Sequence, residues 1–429
     1  MAVQLAVGKG RAERVGHVGY MSLKAECLLL CLDTAAVSSS GCEVVRRGPK
    51  LLEAERRGAR LTRLACVLLC SLALACVALC LAGCGGQEAQ EPAQSSSHDA
   101  STGAHPAGPA TPSTTGALHV AGSQLCASDG TPVQLRGVST HGLAWYPGYV
   151  NQRLFNELRS DWNANVVRLA LYPAESGGYC TDGVQDDLYS KVEDGVNFAR
   201  EADLYAIVDW HVLSEGTPLQ YAAQAAEFFQ RVSTDFADYD NVIYEICNEP
   251  NGSATWDEIV EYANRIVPVI RDNDPDAVIV VGTPQWSQRI DQAQAAPLPY
   301  DNVMYALHFY AATHQQDLRD ELRRAVEGGL PVFVTEFGIS EASGDGAVDY
   351  GSANAWVELM DELNVSYVCW SLSNKDESSA LISPECTKAS GFTVGDLSAE
   401  GQWMWTVLHQ DVGRNGAQAY DSDTESAQS

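Results

Sequence analysis

The chain has 429 residues, carries 56 Asp and Glu against 27 Lys and Arg, and is 45% hydrophobic. That apolar content excludes a wholly disordered chain. The net charge of −29 argues against a nucleic-acid partner, because phosphate neutralisation needs a basic patch.

The charge is unevenly spread. Residues 1–84 hold eleven basic and six acidic side chains, and the remainder is strongly acidic. A basic head on an acidic body reads as a targeting segment before an exported domain. Residues 1–63 have mixed charge and no clear periodicity, and read as an extension upstream of the true start, a gene-model artefact. They end in a basic region holding Arg56, Arg57, Arg60 and Arg63. Residues 64–83 then run twenty positions without a charge, as a secretory signal or a single membrane helix does. The run closes on Leu81, Ala82, Gly83 and Cys84, which resembles the lipobox of bacterial lipoprotein signal peptides, with Cys84 as the lipidated residue.

Residues 85–116 are rich in Ser, Ala, Pro, Thr and Gly and read as a flexible linker. Residues 412–429 are polar and read as a disordered tail. Anchor, linker and body together predict an extracytoplasmic, cell-surface lipoprotein or a secreted protein, reaching the membrane through a lipid anchor or the hydrophobic segment. Eight of the 13 cysteines lie at or before Cys84, leaving Cys126, Cys180, Cys247, Cys369 and Cys386. Five widely spaced thiols suit burial better than a disulfide framework or a zinc site, with a single bridge left open.

The body, residues 117–411, alternates short apolar runs with helical patterns. Strands are predicted at 133–137, 166–170, 205–209, 242–246, 278–282, 303–307, 332–335 and 367–370. Helices are predicted at 187–201, 219–236, 256–273, 318–327 and 353–364. Eight buried strands interleaved with helices in just under three hundred residues predict an α/β fold, a (β/α)8 TIM barrel. The rival, a doubly wound sheet, lacks a Gly-rich fingerprint after its first strand.

A barrel carries its chemistry at the C-terminal ends of its strands. The residues there, in order, are His141, Trp145 and Tyr146; Arg168 and Tyr172; Trp210 and His211; Asn248, Glu249 and Pro250; Trp286; His308 and Tyr310; Glu336; and Trp370. Polar groups converging with indoles on one rim is the profile of a sugar cleft. Glu249 and Glu336 are the carboxyl pair a retaining glycosidase requires. Arg168 and Tyr310 are the expected donors holding Glu336 ionised, and an apolar setting with Glu336 nearby would keep Glu249 protonated.

Each feature also has a plainer reading. Glu249 could cap a helix, and the three histidines could be core residues or metal ligands. Arg168 inside an apolar strand has no plain reading, since a buried charge needs a partner, and Glu336 is the expected one.

Seven segments then resemble family 5 glycoside hydrolases of clan A, in particular the bacterial endoglucanase subfamily. They are residues 135–146 (LRGVSTHGLAWY), 167–172 (VRLALY), 208–211 (VDWH), 244–250 (YEICNEP), 308–310 (HFY), 334–338 (VTEFG) and 370–379 (WSLSNKDESS). They span the body in order. The resemblance implies Glu249 as acid/base, Glu336 as nucleophile, and Asn248 on the 2-hydroxyl of the attacked sugar. It implies Arg168 and Tyr310 on the nucleophile and His308 beside the acid/base. His141, His211 and Trp370 would line the subsite of the attacked sugar, and Trp145, Trp286, Lys375 and Glu377 would extend the cleft. The expected activity is a retaining endo-β-1,4-glucanase acting as a monomer on neutral β-glucan, with no cofactor, metal or nucleic acid. Lichenan, glucomannan or mannan as substrate, a retired glycan-binding barrel, and a metal-dependent hydrolase are the competing expectations.

Overall fold

The computed structural model describes residues 110–410. The expected N-terminal extension, hydrophobic segment, Cys84, the linker as far as residue 109, residue 411 and the tail all lie outside the described residues.

Eight parallel strands close into a barrel: β1 (Arg136–Thr140), β2 (Val166–Leu171), β3 (Tyr205–Trp210), β4 (Val242–Glu245), β5 (Val278–Val281), β6 (Val303–Tyr310), β7 (Val332–Gly338) and β8 (Tyr367–Leu372). Helices follow them in turn: α1 (Gln152–Ser160), α2 (Gln185–Glu201), α3 (Ala222–Asp235), α4 (Trp256–Arg271), α5 (Ile290–Ala295), α6 (Gln316–Glu327), α7 (Tyr350–Glu362) and α8 (Ala399–Leu408). The (β/α)8 barrel is the expected fold.

The alternation along each strand explains the two cores. Outward residues such as Val167, Leu169, Val208, Tyr244, Ile279 and Leu307 pack with the helices in the larger core. In α4 the buried Ile259, Tyr262, Ala263, Ile266, Val267 and Ile270 recur every three or four residues, one helical face. Thr255 and Glu258 cap that helix reciprocally, satisfying two of its free N–H groups. Inward residues Val166, Ile207, Ile243, Val280, Ala306, Phe333 and Val368 fill the barrel floor. One step further along the same inward phase come Arg168, Asp209, Glu245 and His308, all buried. An apolar floor beneath a charged layer is what aims the chemistry at the C-terminal mouth.

The first strand begins three residues later than expected. Val133 and Leu135 belong instead to a segment that closes the barrel bottom. There, Val133 donates its N–H to Leu125 O at 2.8 Å. A short hairpin, His119–Ala121 with Gln124–Cys126, precedes it. Gly122 takes the first loop position at φ 61°, as a primed two-residue turn requires. The final residues of the expected linker are also part of this floor. Pro112–Thr115 forms a helical turn, and Thr115 Oγ1 lies 2.6 Å from the Tyr205 hydroxyl. Ser113 donates to the Asp203 carboxylate. The body therefore starts before residue 117.

All five described cysteines are free. Among the described residues no helix is long and apolar enough to cross a membrane.

Candidate active site

At the C-terminal mouth lies an open cleft of about 780 Å3, lined among others by His141, Trp145, Tyr172, His211, Glu249, Trp286, His308, Tyr310, Glu336, Trp370, Lys375 and Glu377. Every lining residue in that group was expected from the sequence. Glu175, Gln288, His314 and Ser343 also line it and were not expected. They lie on connecting loops or turns that strand-end reasoning does not reach.

Glu336 reaches the cleft through an irregularity. Ala306 on β6 pairs with Phe333 on β7, but His308 pairs with Glu336. One extra residue therefore sits on β7 between the two pairs, the pattern of a β-bulge. Thr335 turns toward Glu245, donating to its Oε1 at 2.7 Å, and Glu336 is carried to the rim. Its Oε1 accepts from the Tyr310 hydroxyl at 2.9 Å, and its Oε2 accepts from Arg168 Nη1 at 3.1 Å. Gly338 makes room for that tyrosine, since a Cβ there would stand 2.7 Å from the ring.

Glu249 lies beyond β4, where the chain runs on between its neighbours. Asn248 N–H donates to Trp210 O and Glu249 N–H to Val212 O. Helix α4 starts only at Trp256, so Glu249 caps no helix. Its Oε1 is 2.9 Å from His308 Nδ1. An oxygen of Glu249, an oxygen of Glu336 and a nitrogen of His308 all lie within 4.8 Å of one another. These are metal-ligand atom types, but each residue is already engaged by the protein. Arg168 and Tyr310 hold the Glu336 oxygens, and Glu249 and Thr335 hold the two His308 nitrogens.

Arg168 requires a correction. It does bond Glu336, but Glu336 is one partner among several. Its Nε donates to Glu245 Oε2 at 2.7 Å and its Nη2 to Asn248 Oδ1 at 2.6 Å, with Asp209 Oδ2 at 3.0 Å. Asp209 and Glu245 were missed. Arg168 and Asn248 are fully buried, and neither they nor the half-buried Tyr146 are among the residues lining the cleft. Asn248 Nδ2 is spent on His211 Nε2 and Val212 O, both at 3.2 Å. His211 then donates its Nδ1–H to Asp209 Oδ2 at 2.6 Å.

A second correction concerns charge. One guanidinium faces Asp209, Glu245 and Glu336, so it cannot neutralise all of them. Burial pushes Glu336 above the ordinary carboxyl range, with Glu249 adding to the rise, although His308 and Arg168 pull the other way. Glu336 was expected to lie low. Burial pushes Glu249 up to about 7, with Glu245 contributing and Arg168 opposing. Asp209 also rises to about 7 through burial. Glu249 remains the better place for a proton, because Glu336 accepts two donors that stabilise its anion.

The remaining wall is aromatic. Trp370 lies 5.1 Å, ring to ring, from both His141 and His211, and Tyr172 lies 4.1 Å from His211. The Tyr146 ring packs on His141 at 4.8 Å. Burial pushes His141 down to about 3, so it is a neutral ring. Lys375 Nζ pairs with Glu377 Oε2 at 2.5 Å, and His141 Nε2 lies 4.0 Å from Glu377 Oε1. Trp145 and Trp286 are the large exposed rings, at 39% and 47%. Trp286 is displayed by three successive residues with positive φ, Gln285, Trp286 and Ser287. The Ser287 hydroxyl pins that turn by donating to Asn248 O at 2.6 Å.

Comparison with known proteins places this geometry. Residues 126–376 match the family model for cellulase (glycosyl hydrolase family 5). Endoglucanase A of Butyrivibrio fibrisolvens is 46% identical over 298 residues, covering 69% of each chain. An endoglucanase of Clostridium saccharobutylicum is 44% identical over 304 residues, covering 71% of this chain and 67% of its own. Among solved structures, the catalytic domain of Thermobifida fusca endoglucanase Cel5A in complex with cellotetraose is 37% identical. It aligns with a TM-score of 0.67, covering 70% of this chain and all of its own. The chain belongs to glycosyl hydrolase family 5, the cellulase family.

Proposed function

We propose that the protein is an endo-β-1,4-glucanase that cleaves internal bonds of cellulose or a related β-glucan with retention of configuration. The observation that carries this reading is the closeness of the two carboxyl groups. Oxygens of Glu249 and Glu336 lie within 4.8 Å across the floor of an open cleft. Retaining glycosidases hold their carboxyl groups about 5–5.5 Å apart, and inverting ones leave room for a water between them.

In the first step a Glu336 oxygen bonds to the anomeric carbon while the bond to the leaving oxygen breaks, and Glu249 gives that oxygen a proton. In the second, Glu249 takes a proton from water, the water oxygen bonds to the anomeric carbon, and the ester to Glu336 is released. Tyr310 and Arg168 orient the nucleophile. Trp370, Trp145 and Trp286 offer apolar ring faces to pyranose rings. The names of the relatives and the cellotetraose held by the Thermobifida fusca enzyme support a β-1,4-glucan as substrate.

The test is hydrolysis of carboxymethylcellulose, lichenan, glucomannan and mannan, following viscosity and reducing ends together. An early fall in viscosity on the cellulosic polymer is the expected result. Hydrolysis of mannan alone would move the reading to another β-glycan, and binding without hydrolysis would leave only a glycan-binding barrel.

We also propose that the protein works outside the cytoplasmic membrane as a monomer, anchored through Cys84. The apolar run at residues 64–83 ending in Leu81, Ala82, Gly83 and Cys84 supports this. Cys84→Ser should move the enzyme from the membrane fraction to the soluble one.

A further inference from the structure

The mechanism above leaves Thr335 unused, although it is buried between two groups that matter. Its hydroxyl is 2.7 Å from Glu245 Oε1 and 2.9 Å from His308 Nε2. A hydroxyl has one proton to give, so the direction of this chain can be worked out. Arg168 donates to both oxygens of Glu245, through Nε at 2.7 Å and Nη2 at 3.3 Å. Burial and Asp209 push Glu245 up, but the Arg168 fork opposes them and takes both its oxygens as acceptors. Thr335 therefore donates to Glu245, and its oxygen is left to accept from His308 Nε2–H. Burial pushes His308 down to about 4, so the ring carries one proton, and that proton is on Nε2. Its Nδ1 is a bare lone pair, 2.9 Å from Glu249 Oε1.

We propose that Thr335 is a positioning residue for the acid/base: by fixing the tautomer of His308, it makes the imidazole accept from Glu249 and so keeps the Glu249 proton in place. This rests on the reading of Glu249 as acid/base. A lone pair facing a carboxyl oxygen is favourable only while a proton lies between them. The protonated carboxyl is held in the free enzyme, and turning about its terminal torsion, which is broad and two-fold, hands the proton to the leaving oxygen. The carboxylate left behind faces the same lone pair, which favours its taking a proton from water in the second step. The other charged or titratable groups around Glu249 and His308 are Glu336, Glu245, Asp209, His211, Arg168 and Tyr310. Of these, Glu245 bonds Thr335, so a change there also removes a donor from Glu245 Oε1, and the tautomer of His308 separates the two effects.

The experiment uses the full-length enzyme. Thr335→Val keeps the shape and removes the hydroxyl. His308 is then free to carry its proton on Nδ1 and donate to Glu249, which stabilises the carboxylate. The basic limb of kcat/KM on cellooligosaccharides should move about one unit to lower pH, while Thr335→Ser should restore the original limb. An unmoved limb in Thr335→Val, or a shift that Thr335→Ser fails to rescue, overturns the proposal. If Thr335→Val does not fold, the wild-type enzyme still decides. Nitrogen-15 NMR of its imidazoles, with His308→Gln for assignment, should find His308 protonated at Nε2 alone at pH 6, and a proton on Nδ1 overturns the proposal. Failure of the underlying reading looks different: Glu249→Gln would then slow activated aryl glycosides as much as cellooligosaccharides, whatever the His308 tautomer.

Discussion

His308 and Glu336 face each other across β6 and β7 only because the register slips by one residue between Ala306–Phe333 and His308–Glu336. Without the slip, strict alternation would put Glu336 on the outward side, among the helices. The bulge gives β7 two consecutive inward-acting residues, Thr335 into the charged layer and Glu336 onto the rim. The position of the carboxylate is thus set by backbone geometry, and its orientation by Tyr310 and Arg168.

The first prediction removes the nucleophile and leaves its seat. Glu336→Gln keeps an oxygen for the Tyr310 hydroxyl and nearly the same volume, so the cleft should persist. Turnover should fall by roughly 10^3-fold or more, since the covalent route is lost, and calorimetric binding of cellotetraose should survive. A variant retaining most of its turnover would remove Glu336 from the role assigned to it.

The pH profile follows from the two carboxyl groups acting as a pair. Glu249 must be protonated to act as an acid and rises to about 7 through burial. kcat/KM on cellooligosaccharides should therefore decline as pH rises through about 7. Glu336 must be ionised and is itself raised by burial and by Glu249, so activity should begin to fall on acidification above the ordinary carboxylate range. Glu249→Gln should lose the basic limb and slow cellooligosaccharides by roughly 10^2–10^4-fold. Aryl glycosides with good leaving groups need no proton and should suffer far less in the first step. Steady-state rates on both substrate classes across pH 4–9 check both statements.

The barrel was legible because its strands alternate cleanly between floor and helix packing. Val166, Arg168 and Ala170 share one phase of β2, and Val167, Leu169 and Leu171 share the other. Glu249 and Glu336 were legible because both lie at strand ends. Asp209 and Glu245 were not, although the argument used for Arg168 reaches them. Each is a charge in the inward phase of an apolar strand, and an inward arginine surrounded by several such charges must be shared. Thr335 was hidden by the bulge, which only a register can reveal. Trp286 was legible beyond the fifth strand, but the left-handed turn that displays it was not, because no glycine marks it. The pull of Arg168 on Glu336 was overrated for a related reason, since the guanidinium serves three carboxylates under full burial.

That sharing leads to the third prediction. Arg168 is fully buried and bonded to Glu245, Asn248 and Glu336. Arg168→Lys keeps a charge but cannot reproduce the fork. It should lose roughly 3–5 kcal/mol of stability, the usual cost of breaking a buried ion-pair network, and turnover should fall with it. Urea unfolding measures the first effect. A loss below about 1 kcal/mol would mean that the charged layer relaxes without its arginine.

Behind the site, Glu400 on α8 supplies the last prediction. It is fully buried, and its Oε1 accepts from the Ile339 N–H at 3.0 Å and the Cys369 thiol at 3.4 Å. Its Oε2 has no hydrogen-bond partner among the described residues. Burial pushes it up to about 8, against the two donors. Its folded pKa thus lies above the unfolded value near 4.5, so between the two the native state holds more protons than the unfolded one. The sign follows: stability from this group is complete below about 4.5 and is lost as pH rises through about 8. Glu400→Gln keeps the Oε1 acceptor and cannot titrate. The variant should be the less stable form at pH 5, where its amide N–H2 replaces a carboxylic acid in a tight site. It should gain on the wild type by roughly 2–4 kcal/mol by pH 9. Asp209 and Glu249 titrate in both proteins and cancel from the difference. Thermal unfolding of the two at pH 5 and pH 9 gives the answer, and a difference that does not change with pH would mean that Glu400 holds no proton in the folded enzyme.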